Sequence, residues 1–138
     1  MVSVWPYPRS LQSMPSAPKA VECVPQLEML QLAALTISHA GLNTVLEALS
    51  CAVPLVAIPI ANDQPGMAAW VGWSGSGAAE PLKWATVGRL RFAIDRVWGA
   101  PSYRQNAQPL AQAIATACGM ARIADIVEHA ITTGQRLL

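Results

Sequence analysis

Apolar residues follow two rhythms along this chain. Short runs rich in β-branched residues at 21–24, 35–38 and 55–58 predict strands, apolar enough to be covered on both faces of a sheet. Residues 2–5 read as a further strand and 78–80 as a short edge. Longer segments at 27–32, 43–51 and 65–73 predict helices between the strands, and 86–98, 102–117 and 122–131 predict three more toward the C-terminus. Within 86–98, Leu90, Ile94 and Val97 keep helical spacing and read as core. Residues 6–18 carry four prolines and predict a connecting loop. Strands separated by helices imply right-handed βαβ units and a parallel sheet, an α/β fold of the Rossmann-like kind, with 1–138 as one domain.

Composition changes that picture in one respect. Hydrophobic residues make up 53 % and charged residues only 12 %, about half the usual charged share of ~25 %. Little surface is built to face water, as expected for a domain that packs against another. A net charge of +1 gives no electrostatic case for nucleic acid or an acidic membrane. Two histidines and no D-x-D pair offer little for a metal site built by the protein. Cys23, Cys51 and Cys118 are odd in number and far apart, which argues against a disulfide framework and fits a reducing compartment. The longest apolar run, 48–61, is broken by Pro54 and Pro59, short of the ~20 residues a bilayer span requires. The N-terminus lacks the order of a signal peptide, so the cytoplasm is the expected location.

In an open parallel sheet, ligands bind beyond the carboxyl ends of the strands. Three polar clusters fall there: Pro25-Gln26, the run His39 to Glu47, and Asn62-Asp63-Gln64. Parallel neighbours would bring all three to one rim. In the middle cluster, Gly41 permits close backbone approach, and the helix after it points free N–H groups at the loop, an anion site. Asn43 and Thr44 add donors, and His39 can donate to a phosphate oxygen. Glu47 is the sole charge between Met29 and Asn62. It lies one turn below Asn43, where its carboxylate can accept from the vicinal hydroxyls of a ribose. A second reading stands beside this one. Thr44-Val45-Leu46-Glu47 also matches the S/T-x-x-E capping box, which needs no ligand. Likewise Asp63 suits a helix N-cap with Pro65 in the first turn, or, with Gln64, a grip on sugar hydroxyls. Trp70, Trp73, Trp84 and Trp98 could form an acceptor-binding surface, though they better suit packing or a domain interface. His129 suits surface or packing, and Tyr103-Arg104 suits a helix anchor.

Together these residues form a pattern. "VPQLEML" at 24–30, "HAGLNTVLEAL" at 39–49, "VPLVAIPIANDQPGMAA" at 53–69 and "YRQNAQPL" at 103–110 resemble the C-terminal, donor-binding domain of GT-B-fold UDP-glycosyltransferases. The resemblance runs from about Val2 to Ile131. It implies that His39, Asn43 and Thr44 meet the diphosphate beside Gly41 and that Glu47 meets the ribose. It assigns Gln26 to the nucleoside and Asp63 and Gln64 to the transferred sugar. It also implies a UDP-sugar donor, a hexose moved with inversion and without a metal, and a small lipophilic acceptor bearing a hydroxyl. Cys23 stands where the family often stacks an aromatic residue on uracil, Ala40 and Ala52 where many members have glycine, and Trp70 where many have arginine. Family members are about three times longer. By that measure the acceptor pocket, the histidine base and a Ser/Gly diphosphate loop lie outside this chain, so no catalytic residue is assigned to it. A separate acceptor-domain chain would complete the enzyme. A non-catalytic binding or regulatory module, and an inactive remnant, are the rival readings.

Overall fold

The computed structural model describes residues 23–117 and 119–134. The expected strand 2–5, the loop 6–18 and residues 21–22 lie outside that range. Three short strands, β1 (Thr36–Ser38), β2 (Leu55–Ala57) and β3 (Gly77–Ala79), form a parallel sheet in the order β1-β2-β3. Thr36 faces Leu55 and Leu55 faces Gly77, so the three strands run in step. The expected edge at 78–80 is therefore β3, one residue earlier. One expectation fails: Cys23 and Val24 are not in a strand. Pro25 follows them without an N–H to give a ladder, and helix α1 (Gln26–Leu32) starts at once.

The helices between strands are α2 (Leu42–Ser50), from β1 to β2, and α3 (Gln64–Trp73), from β2 to β3. A 3-10 turn (Leu82–Trp84), absent from the sequence pattern, precedes α4 (Val87–Gly99), α5 (Pro101–Thr116) and α6 (Gly119–Thr133). Successive residues of β2 point to opposite faces, and both faces are covered. Leu55 and Ala57 join Val45, Leu49 and Val71 from α2 and α3, with Ala107 of α5, in one core. Val56 and Ala78 meet Ala93 and Val97 of α4 in the other, with Leu90 and Ile94 at its margin. The core residues expected on α4 are thus in place. Arg104 on α5 donates through Nη2 to the carbonyls of Ala33 (3.0 Å) and Ala34 (3.2 Å), anchoring the segment that enters β1. Asn106 donates to the Gly75 carbonyl at 3.1 Å, holding the segment that enters β3. By contrast, α6 exposes Met120, Ile123, Val127 and Ile131 as an apolar stripe. Among the described residues, no single helix is long and apolar enough to cross a membrane.

Helix α2 ends in a Schellman turn built on an unusual residue. The Val53 amide bonds the Ala48 carbonyl and the Ala52 amide bonds that of Leu49, both at 2.9 Å. Ala52 takes φ +52 there, the left-handed region where a side chain costs about 1–2 kcal/mol. Glycine avoids that cost and gives part of it back as lost chain freedom. Ala52→Gly is expected to stabilise by about 0.5 kcal/mol, raising Tm by roughly 2–3 °C in a thermal melt. An unchanged or lower Tm would show that the methyl's packing outweighs the strain.

Candidate functional site

The carboxyl rim of the sheet brings together two of the three polar clusters, His39 to Glu47 and Asn62 to Gln64. Past the ends of β1 and β2 the ladder continues, with Ile58 donating to the Ser38 carbonyl at 2.8 Å. The loops after the two strands therefore leave side by side. After β1 the chain turns tightly: the Ala40 amide donates to Ser38 Oγ at 3.0 Å, and Ala40, fully buried, takes φ +63. That turn aims α2 back along the sheet, so its N-terminus opens onto the rim.

Gly41 is the N-cap of α2 and has no side chain to close it. Among the described residues, no hydrogen bond engages the amides of Leu42, Asn43 or Thr44. The helix start thus presents unsatisfied donors and the positive end of its dipole to the loop. His39 lies against it: a Cβ on Gly41 would stand 2.7 Å from His39 Nε2. The imidazole occupies the space a side chain would take, which brings a further donor to the same corner. Asn43 is exposed, and Thr44 and Glu47 are half-buried on the helix below it.

The helix start also bears on the capping reading of Glu47. A capping box would place Thr44 at the cap, but α2 begins two residues earlier, at Leu42. Thr44 is inside the first turn, and neither its hydroxyl nor the Glu47 carboxylate caps a backbone amide. The capping reading is corrected accordingly. Among the described residues the Glu47 carboxylate has no hydrogen bond or ion pair.

Asp63 and Gln64 open α3 at the end of the neighbouring loop. Asp63 is the N-cap by position, with Pro65 in the first turn as expected, yet its side chain makes no capping bond. It is exposed. Gln64 Oε1 accepts from the amides of Ile60 (2.9 Å) and Ala61 (3.0 Å), tying down the loop that precedes it. The pattern of residues carried no sign of that role. Gln26, half-buried, starts α1, which packs against α2. The rim thus gathers His39, Gly41, Asn43, Thr44, Asp63 and Gln64, whereas Gln26 is placed only at the start of α1, which packs against α2. Nearby, Glu80 at the end of β3 is committed elsewhere, paired with Arg89 Nε on α4 at 3.0 Å.

Sequence reasoning missed one feature of the rim. An open, mostly apolar groove of about 590 Å³ runs beside the Asp63–Gln64 loop, lined by Pro59, Ile60, Pro65, Ala68, Leu82 and Lys83 among others. Its walls come from three separate segments, so no local pattern announces it. The four described tryptophans are not part of this rim groove: Trp73, Trp84 and Trp98 are largely exposed, and Trp70 packs against the main core.

Residues 7–130 match the family model described as erythromycin biosynthesis protein CIII-like, C-terminal domain. Zeaxanthin glucosyltransferase of Pantoea ananas is 32 % identical over 120 residues, 87 % of this chain and 28 % of its own length. The glycotransferase of kitacinnamycin superposes with a TM-score of 0.75 at 31 % identity, covering 80 % of this chain and 29 % of that one. Os79 from O. sativa, in complex with UDP and deoxynivalenol-3-glucoside, gives a TM-score of 0.72 at 29 % identity, covering 83 % of this chain and 29 % of that one. The chain therefore spans less than a third of the length of these relatives.

Proposed function

Because the chain belongs to the family of erythromycin-biosynthesis-protein-CIII-like C-terminal domains of UDP-glycosyltransferases, we propose that its rim holds a UDP-sugar for transfer. The observation that carries this reading is the uncapped start of α2 at Gly41, facing the same edge as Asp63 and Gln64. The diphosphate lies at the amides of residues 42–44, with His39, Asn43 and Thr44 donating to its oxygens. Glu47 accepts from the ribose hydroxyls and Gln26 contacts the nucleoside. Asp63 and Gln64 take the sugar, a hexose, with glucose suggested by the zeaxanthin glucosyltransferase match.

In this reading the acceptor hydroxyl displaces UDP at the anomeric carbon, with inversion. The fixed donors at α2 stabilise the charge that grows on the departing diphosphate, and no solvent has to reorganise to do so. The groove beside Asp63–Gln64 gives a lipophilic acceptor an apolar wall on the sugar's side. A general base must take the acceptor's proton, and in this reading it comes from an acceptor half outside these 138 residues. The apolar stripe on α6 and the sparse surface charge suit contact with such a half. The free thiols of Cys23 and Cys51 suit a cytoplasmic site of action.

Calorimetry with UDP, UMP and UDP-glucose tests the donor site. A second phosphate at an uncapped, partly buried helix start is worth up to ~2 kcal/mol, so UDP is expected to bind about tenfold, and at most about thirtyfold, more tightly than UMP. Equal affinities, or no binding of either nucleotide, would overturn the assignment.

A further inference from the structure

We propose that the apolar groove takes a lipophilic acceptor that carries a carboxylate, and that Lys83 pairs with that carboxylate. The inference rests on the donor-site reading above, which makes this groove an acceptor's, and it adds the acceptor's charge class.

At about 590 Å³ the groove is the size of a small-molecule site, which typically falls within ~300–1,000 Å³ and is mostly apolar with few polar groups. Prolines, alanines, Ile60 and Leu82 make up the rest of its lining, and Lys83 alone brings a polar side chain. The wall that carries Lys83 is fixed in place. The Glu80 amide donates to the Ala57 carbonyl at 2.8 Å, and the Trp84 amide donates to the Pro81 carbonyl at 2.9 Å. Arg89 holds the Glu80 side chain at 3.0 Å. The groove therefore needs no ordering before a ligand enters, which spares affinity.

The charge of Lys83 is uncompensated. Its one strongly acidic neighbour in sequence, Glu80, is committed to Arg89, and among the described residues no carboxylate pairs with the Lys83 ammonium. The ammonium lies 5.9 Å from the centre of the Trp84 ring, a face that attracts a cation without neutralising it. A neutral lipophile in the groove would strip water from the ammonium and return nothing. A carboxylate returns a charge-assisted hydrogen bond. Lys83 is exposed, so its flexible stem can also swing the charge into solvent, and the selection is graded rather than absolute. Pro59, Ile60 and Pro65 bring the same groove to the Asp63–Gln64 loop. An acceptor with its hydroxyl at that loop and its carboxylate at Lys83, a lipophilic hydroxy acid, meets both.

The ligands 10-hydroxydecanoate and 1,10-decanediol test this on the full chain, because they share a length and a terminal hydroxyl and differ in the carboxylate. Amide NMR titrations at neutral pH and low salt give both affinities and the place of binding. Wild type is expected to bind the hydroxy acid about fivefold more tightly, the upper end for an ion pair open to water. Lys83→Met keeps the apolar stem without the charge, so the two affinities should become equal. Lys83→Glu should reverse their order. Raising salt from about 50 to about 500 mM should shrink the wild-type preference below about twofold. Ala69 lines the groove from an exposed position on α3. Ala69→Trp should weaken both ligands about tenfold, the loss of roughly two buried methylenes. Equal affinities in wild type, or a preference that survives Lys83→Met, overturn the pairing. Binding of neither ligand, or affinities untouched by Ala69→Trp, overturn the groove as the site. None of these readings uses UDP. If UDP fails to bind, the acceptor role falls with the donor site, and a charge-selective groove still stands on its own titrations.

Discussion

Glu47→Ala is expected to weaken UDP binding about a hundredfold while leaving the fold intact. A carboxylate that accepts from two ribose hydroxyls makes two hydrogen bonds of the charged kind, worth about 1.5 kcal/mol each at the low end. Together they amount to about 3 kcal/mol, or two powers of ten in Kd. The side chain is half-buried, on the second turn of α2, and has no protein partner among the described residues. Its removal therefore breaks no hydrogen bond or ion pair among the described residues, and alanine is the better helix former. Tm should move by no more than a degree or two. This combination separates binding from capping, since a lost cap costs about 1 kcal/mol of stability with or without nucleotide. Glu47→Gln keeps an acceptor oxygen without the charge, and an intermediate loss of about tenfold is expected. The decisive comparison uses UDP lacking both ribose hydroxyls. That ligand should bind wild type and Glu47→Ala equally, because the partner groups are gone. If Glu47→Ala binds UDP as tightly as wild type does, the ribose assignment is wrong, whatever else occupies the rim.

The same residue shows where sequence and structure part company. That Glu47 sits on a helix just past a strand followed from periodicity, and so did the meeting of two loops at one rim. That it does not cap the helix did not follow, because the answer depends on helix phase. Moving the start from Thr44 to Leu42 turns a capping pair into two side chains on the helix face. Strand content had a similar ambiguity. Apolar runs at 35–38 and 55–58 became β1 and β2 because each found a parallel neighbour. Cys23 and Val24, equally apolar but cut short by Pro25, did not become a strand. A short run is a strand only if something pairs with it, and pairing is a tertiary fact. Gln64 was legible as a polar residue at the rim, but its grip on Ile60 and Ala61 was not. A glutamine has no spacing rule that ties it to a preceding loop.

The rim also depends on a backbone contact far from any polar residue. Gly77, in β3, is fully enclosed, and a Cβ there would overlap the Leu55 carbonyl oxygen of β2. It would also stand 2.6 Å from Cγ1 of Val71 on α3. One obstacle is backbone in the central strand and the other is a stiff, buried, β-branched side chain. Neither can yield without moving β2 or α3, the two elements that carry the Pro59–Gln64 loop. Gly77→Ala is therefore expected to cost about 4 kcal/mol, in the range of severe core overpacking. Against a total of roughly 5–15 kcal/mol for a domain, that is a large share. The variant should unfold at much lower urea or accumulate as insoluble protein. Gly72→Ala is the matched control. It adds the same methyl to α3, where nothing lies within 4 Å of the new Cβ. There alanine should stabilise by about 0.5–1 kcal/mol through helix propensity. Equal urea midpoints for the two variants would mean that β2 and β3 tolerate a wider spacing than their register implies, and that the rim loops are not held by the sheet beneath them.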